Sequence, residues 1–482
     1  MSISSQSARG ASVFTLINFA TYALSFVATI IAARILGPAD FGQATLAITI
    51  ADILVIAGAW SLPTALLREP EESVDVAFST AIYLALILSA GVLALAAIIG
   101  VVLALFGLGL VGQMLFAVMV GRVCAVVGSC YSTDLSRRFI YGRFSFIGFS
   151  TQVTGNVVTI ALAAAGVGAW ALAARDVVAG LLTLPISIAL SRWKLTRRYS
   201  RAKARELLDF VRKMIGSRLG DLMFHRYDNL VVAALAGNSA LGLYSQAYVI
   251  AEIGNRVYAP TLLQVGMSNY ARTQGDRAYT TRTFNFVTYF LYRTIPLLFV
   301  VLVVCPELVL QVLFGSEWVA AAEILRALSV YALLLPVFDH MRALLIANGL
   351  VMEVLKARAI QLGVFLPLVP VLTWAMGAEG AAVAVAVAMV IGTAAMGRQC
   401  RALVDSEGLR QVVSPVLAAF AGAAVLAVVI SAIGNDLLAI VAGTTAMTAT
   451  YGAVLYALDG RRLRENVATL RQSLRPAPVD EG

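Results

Sequence analysis

The residues best equipped for chemistry sit where charge is costly. Residues 206–237 read ELLDFVRKMIGSRLGDLMFHRYDNLVVAALAG, more than the ~20 residues a helix needs to cross a bilayer. Yet the stretch carries Arg218, Asp221, His225, Arg226, Asp228 and Asn229. At about 100° per residue, Arg218, Asp221, His225, Asp228 and Asn229 share one stripe, opposite Leu219, Leu222, Met223 and Leu230. A charge at the bilayer centre costs at least ~2.5 kcal/mol, so such residues face a bundle interior or a wet cavity. The stripe therefore reads as one wall of an aqueous chamber. Other apolar stretches add Asp52, Arg122, Arg175 and Asp176 in the first half, and Glu252, Arg256, Arg293, Asp339, His340 and Arg342 in the second. Arginine stays ionised and its planar fork suits phosphate. Arg122, Arg175, Arg218, Arg226, Arg256, Arg293 and Arg342 are therefore candidates to attract an anionic head group, with Asp221, His225 and Asp228 beside them. Trp170, Tyr244, Tyr248, Tyr289 and Tyr292 offer faces for stacking on sugar rings, and Asp52 and Glu252 are candidates to titrate in an ion-coupled cycle. The alternative for individual residues is local neutralisation at i,i+3 or i,i+4 spacing, Arg218 with Asp221, Glu252 with Arg256, Asp339 with Arg342. Hydrophobic replacements of buried pairs are often no less stable, so packing alone accounts poorly for the whole set.

Signatures of other chemistries are missing from the sequence. It has no GxxxxGK[ST] phosphate loop, no DxD and no HExxH, and its histidines are His225 and His340. One GxGxxG, Gly107 to Gly112, falls in a short turn between apolar runs rather than in a strand–helix unit, and reads as a tight turn. Cys124, Cys130, Cys305 and Cys400 are scattered without a CxxC spacing. No metal and no cofactor is expected, and no bond-breaking activity.

The chain has 482 residues, 60% of them hydrophobic and 13% charged, where a soluble domain is nearer a quarter charged. Its apolar runs are continuous rather than alternating, which excludes a membrane β-barrel. The expected fold is an all-α integral membrane protein with about fourteen spans. The net charge of +9 comes from 32 arginines and 4 lysines. These collect in alternate turns, above all in SRWKLTRRYSRAKAR at 191–205, while the intervening turns are short and nearly free of bases. The positive-inside rule then places both termini in the cytoplasm. The 191–205 run should lie on the anionic inner leaflet and makes a poor nucleic-acid site on a membrane-bound loop.

An internal repeat appears at an offset of 200. GPADFGQATLAITIADI at 37–53 aligns with GNSALGLYSQAYVIAEI at 237–253, matching Gly37 with Gly237, Gly42 with Gly242 and Asp52 with Glu252; GAWALAA at 168–174 weakly echoes GAEGAAV at 377–383. Six spans separate the partners, so the halves share an orientation and imply a pseudo-two-fold axis along the membrane normal. The expected organisation is an N-terminal lobe at 1–190, a basic linker at 191–206, a C-terminal lobe at 207–400, two extra helices at 401–457 and a basic tail at 458–482.

ARILGPADFGQ after the first span, its counterpart LAGNSALGLYSQAYVI, and LFGSEWVAAAEILRALSVYALLLPVFDHMRALLIANG at 313–349 carry a resemblance. Over essentially its whole length the chain resembles the Wzx-like O-antigen and exopolysaccharide repeat-unit flippases of the multidrug/oligosaccharidyl-lipid/polysaccharide exporter superfamily. The resemblance implies two six-helix lobes with two additional helices, in a V around a central cavity. It implies a lipid-diphosphate-linked oligosaccharide as cargo, a bacterial inner membrane as location, and a polysaccharide polymerase and chain-length regulator as partners beside the membrane lipids. It supplies no motif that assigns cavity residues. A multidrug exporter of the same superfamily is the alternative, followed by a membrane polymerase or glycosyltransferase, which the short outer turns disfavour.

Overall fold

A computed structural model describes the backbone of residues 3–57, 59–272, 276–405, 408–434 and 436–473, without side chains at 3–16, 56–57, 59, 216–219, 221, 257–269, 271–272, 408–410 and 467–473. Among the described residues there is no strand. The first half contains α1 (Ile3–Ile35), α2 (Pro38–Ala57), the short α3 (Leu62–Leu67), α4 (Val74–Leu105), α5 (Gly109–Arg137), α6 (Tyr141–Ala164), α7 (Trp170–Leu190) and α8 (Arg201–Ala236). Then come α9 (Asn238–Arg272), α10 (Arg277–Val304), the short α11 (Pro306–Leu313), α12 (Ala322–Ala347), α13 (Val351–Met376), α14 (Ala378–Cys400), α15 (Gly408–Ala432) and α16 (Asp436–Ser473). Eleven described helices are long and apolar enough to cross a membrane. The other three expected spans are α2, α8 and α9, continuous helices of 20, 36 and 35 residues. Asp52 lies on α2, and α8 and α9 carry the Arg218–Asp228 stripe, Glu252 and Arg256, whose polarity lowers the hydropathy of those two helices. The chain is thus an all-α, multi-pass membrane protein.

The helices gather into two compact units, one of residues 1–245 with 369–381, the other of 246–368 with 382–482. In the first, α8 packs on α2 and α4. Leu62, Leu66, Phe78, Ile82, Cys130 and Leu207 build a core from α3, α4, α5 and α8. In the second, Leu291, Ile295 and Val337 join α10 to α12, and Ala418, Tyr451 and Leu455 join α15 to α16.

The repeat has a physical counterpart inside the first unit. A Cβ on Gly42 would lie 1.7 Å from the Asn238 carbonyl oxygen, and one on Gly242 would lie 1.8 Å from the Pro38 carbonyl oxygen. The N-terminal ends of α2 and α9 therefore cross backbone to backbone. The contact is reciprocal, since 42 meets 238 and 242 meets 38. Thr45 Oγ1 and Ser245 Oγ, one further repeat pair, face each other at 3.4 Å. Pro38, at the first position of α2, donates no N–H and suits that place. Asp40, in the same turn, accepts the Ala169 N–H at 3.0 Å. Gly168 approaches that carboxylate with φ of +67°, a conformation glycine adopts without a Cβ penalty.

At the opposite end of this unit, polar side chains tie α5 and α8 to the end of α3 and the residues after it. Arg137 donates to the Leu66 carbonyl at 2.9 Å. Lys203 meets Glu69 and Glu206, each at 2.7 Å. Burial pushes the Glu69 carboxyl up, but hydrogen bonds from Lys203 and Ser73 outweigh it, and the net displacement is below the ordinary value of 4.5. Glu206 and then Glu69 raise the Lys203 ammonium above 10.5.

Both the crossing and the ion pairs can be tested by thermal unfolding in detergent. Gly42→Ala or Gly242→Ala forces the α2–α9 crossing apart and lowers stability by about 1–3 kcal/mol, the range for overpacking, read as a lower thermal midpoint. Glu69's lowered value stabilises the fold above pH 4.5 and loses that contribution as acid takes the pH down through it. Lys203's raised value adds stability below pH 10.5 that is lost as the pH rises through its folded value. The thermal midpoint should therefore fall on acidification below about 4.5, and Glu69→Gln should start lower at neutral pH and show a flatter acid limb.

Candidate functional site

The close approach of α5 and α7 sets the site. A Cβ on Gly180 would lie 2.1 Å from the Gly121 carbonyl oxygen, and one on Gly121 would lie 2.8 Å from the Val177 Cα. Gly155 of α6 likewise faces the Arg175 carbonyl oxygen, 2.9 Å from where its Cβ would be. These small residues let the backbones meet, as at membrane helix interfaces generally. Arg122, next to Gly121, is thereby brought against Asp176, next to Val177.

Five side chains from four helices form one ionic chain. Arg226 of α8 contacts Asp52 Oδ2 of α2 at 2.7 Å. Asp52 Oδ1 lies 3.1 Å from Arg122 Nη2 of α5. The same nitrogen donates to Asp176 Oδ2 of α7 at 2.7 Å, and Asp176 Oδ1 lies 3.5 Å from Arg175 Nε. Three arginines alternate with two aspartates, leaving one formal positive charge. Exposure is highest at the two ends: Arg226 and Arg175 are 37% and 34% exposed, against 26% for Arg122, 19% for Asp52 and 14% for Asp176. Arg122 Nε is buried without an acceptor. The side chain also borders a small pocket with Val55, Ser89 and Met119. The arrangement can receive an anion and can trade one carboxylate partner for another; it contains no nucleophile paired with a base.

The other candidates are placed differently. Asp228 is 1% exposed and accepts from the Tyr244 hydroxyl at 2.6 Å and from the Asn229 N–H at 2.8 Å. Asn229 in turn donates to Thr49 at 3.2 Å, so this pair ties α8 to α9 and α2. His225 is half-buried. Arg218 and Asp221 lie on α8, with side chains outside the described residues. In the second unit, Glu252 takes Arg256 at 2.9 Å and the Tyr331 hydroxyl at 3.2 Å. Asp339 takes Arg342 at 3.0 Å and the Asn255 amide at 3.2 Å. Both are the local pairs that the spacing allowed. Arg293, 6% exposed, pairs with Asp459 at the kink in α16, donates to Ser414 of α15, and lies over the Tyr289 ring. Its guanidinium holds α10, α15 and α16 together. Tyr244 and Tyr289 are buried in these ties, which leaves their faces to packing rather than to sugar. Sequence reasoning missed Asp459, which falls in what reads as a basic tail; the signal was a carboxylate directly after an apolar run.

This fold is that of a known class of membrane transporter. It matches the structure titled lipid II flippase MurJ, inward closed conformation, with a TM-score of 0.76 at 12% identity, over 93% of this chain and 99% of that one. It also matches an inward-facing multidrug resistance MATE family transporter of the MOP superfamily, with a TM-score of 0.63 at 18% identity, over 79% of this chain and 94% of that one. Residues 31–323 match the family described as polysaccharide biosynthesis protein, and the chain belongs to that family. It is 27% identical over 316 residues, 64% of its length, to the succinoglycan biosynthesis transport protein ExoT of Rhizobium meliloti (strain 1021), of which it spans 63%. The resemblance seen in ARILGPADFGQ and its counterpart therefore holds.

Replacing Arg122 with Leu leaves Asp52 and Asp176 without their shared cation. Stability should fall by about 1–3 kcal/mol, between the values for exposed and buried pairs. Asp176→Asn, which keeps one hydrogen bond, should cost less. Thermal unfolding of the two variants in one detergent checks the order.

Proposed function

We propose that the chain is a flippase of the bacterial inner membrane. It moves an undecaprenyl-diphosphate-linked oligosaccharide repeat unit from the cytoplasmic to the periplasmic leaflet, for exopolysaccharide or O-antigen synthesis. The observation that carries this reading is the ionic chain Arg226–Asp52–Arg122–Asp176–Arg175, cationic at both ends and carried by four helices of membrane-spanning length. A diphosphate displaces Asp52 or Asp176 from an arginine without leaving that arginine bare, so entry of the anion costs less than filling an apolar cavity with charge. The prenyl tail stays in lipid, no covalent bond is made or broken, and access alternates between the two sides. Family membership and the transport role in the name of the Rhizobium relative support the reading. Basic residues gathered in alternate turns support cytoplasmic termini. A polymerase and a chain-length regulator are the fitting consumers of the product. An organic-cation exporter is disfavoured, because a cationic drug would meet three arginines against two aspartates.

Arg226→Ala is expected to reduce surface polysaccharide at least ten-fold while the protein stays at its normal level in the membrane, with lipid-linked repeat units accumulating on the cytoplasmic side. Full export from this variant would remove Arg226 from the transport site. Raised drug susceptibility of a deletion strain with intact polysaccharide would replace the flippase reading with the exporter.

A further inference from the structure

The segment after α7 is basic, yet it does not hang free. Residues 191–200 form no helix, and the segment is fastened at 192–193, 196 and 200. The Arg192 N–H donates to Asp134 Oδ2 at 2.8 Å. The Trp193 ring packs on Phe78, with centroids 4.9 Å apart. Thr196 binds the buried Ser79 through its N–H at 3.2 Å and its hydroxyl at 2.8 Å, and its carbonyl accepts from Tyr83 at 3.3 Å. The Ser200 N–H donates to the buried Thr80 at 3.2 Å. Ser200 then caps α8 by accepting the Lys203 N–H.

The side chains of Trp193, Thr196 and Ser200 turn inward, and the basic side chains around them face out. Arg192, Lys194, Arg197, Arg198, Arg201 and Arg205 are exposed. None of the six is in an ion pair among the described residues, whereas Lys203, the seventh base of the run, is turned in to Glu69. Leu195 and Tyr199 stand between them, 45% and 46% exposed. An ordered row of unpaired bases, interleaved with one aliphatic and one aromatic side chain, matches a surface of phosphates over hydrocarbon.

We propose that residues 192–205 form a built site for anionic phospholipid head groups, with the row of bases on the phosphates and Leu195 and Tyr199 in the interfacial layer. The anchors in α4 and α5 do the positioning: they hold the strap in one extended shape, so the bases need not be ordered when the lipid arrives. The site is separate from the ionic chain and stands whether or not the cargo is as proposed above.

The test titrates the detergent-solubilised full chain with phosphatidylglycerol, phosphatidylcholine or inorganic pyrophosphate, reading the thermal midpoint and the lipids retained in native mass spectra. Phosphatidylglycerol should stabilise and stay bound, and phosphatidylcholine should not. Each base near an anionic surface contributes roughly a five-fold factor, so Arg192→Gln/Arg197→Gln/Arg198→Gln should weaken the apparent affinity on the order of 100-fold. A control that removes equal charge, Lys356→Gln/Arg398→Gln/Arg401→Gln, should leave it within a few-fold. Ser79→Ala removes no charge but takes two of Thr196's three hydrogen bonds, and should weaken binding several-fold; Thr80→Ala repeats the test should the first variant fold poorly. Equal loss in the charge control, or no loss in either anchor variant, would overturn the site in favour of diffuse attraction. Stabilisation by pyrophosphate that matches phosphatidylglycerol would overturn the lipid surface in favour of a free-phosphate site.

Discussion

A guanidinium cannot shed its proton, so one placed at membrane depth must find acceptors there. The first unit meets that requirement by sharing. Asp52 serves Arg226 and Arg122, and Asp176 serves Arg122 and Arg175. Sharing leaves each carboxylate flanked by two cations, and ties α2, α5, α7 and α8 at one level. It also leaves the chain one positive charge in excess, with its most exposed members at the ends. The interior of the network is therefore suited to holding the helices and its ends to meeting an anion.

Glycines bring several helices of this unit closer than larger side chains permit. The glycines supply the approach: Gly121 and Gly180 let α5 and α7 touch beside Arg122 and Asp176, and Gly42 and Gly242 let α2 and α9 touch at their first turns. The second contact also bears on where the chain divides. The sequence repeat leads one to expect a boundary in the linker at 191–206, whereas packing gathers α8 and the first turns of α9 with α2, and the compact unit runs on to Ser245. Repetition in sequence and compactness in space are different properties, and the interlocked glycines separate them.

The fold class was legible because continuous apolar runs with bases gathered in alternate turns suit little besides a helical bundle in a bilayer. The family was legible from a short glycine-bearing segment, whose physical basis is the α2–α9 crossing and the Asp40 tie. The members of the ionic chain were each visible as charges in apolar stretches, but their connectivity was not. Arg122 and Asp176 are 54 positions apart, and only the backbone contact at Gly121 and Gly180 makes them partners. Helical spacing did reveal Glu252 with Arg256 and Asp339 with Arg342, since a local pair needs no tertiary information. It could not reveal Arg293 with Asp459, 166 positions apart, which turns a cavity candidate into a clamp on the last two helices.

The sequence repeat does not carry over to ion pairing. Asp52 and Glu252 align at the offset of 200, yet Asp52 joins arginines of two other helices, while Glu252 meets Arg256 one turn away and a tyrosine. In the second unit each described arginine named as a candidate meets a carboxylate: Arg256 meets Glu252, Arg342 meets Asp339 and Arg293 meets Asp459. No excess charge accumulates in those pairs. A cargo with its charge concentrated at one point, such as the proposed diphosphate between a sugar and a hydrocarbon tail, would need only one cationic network. Two equal networks would offer two competing seats for one anion, and would add the cost of a second set of buried charges.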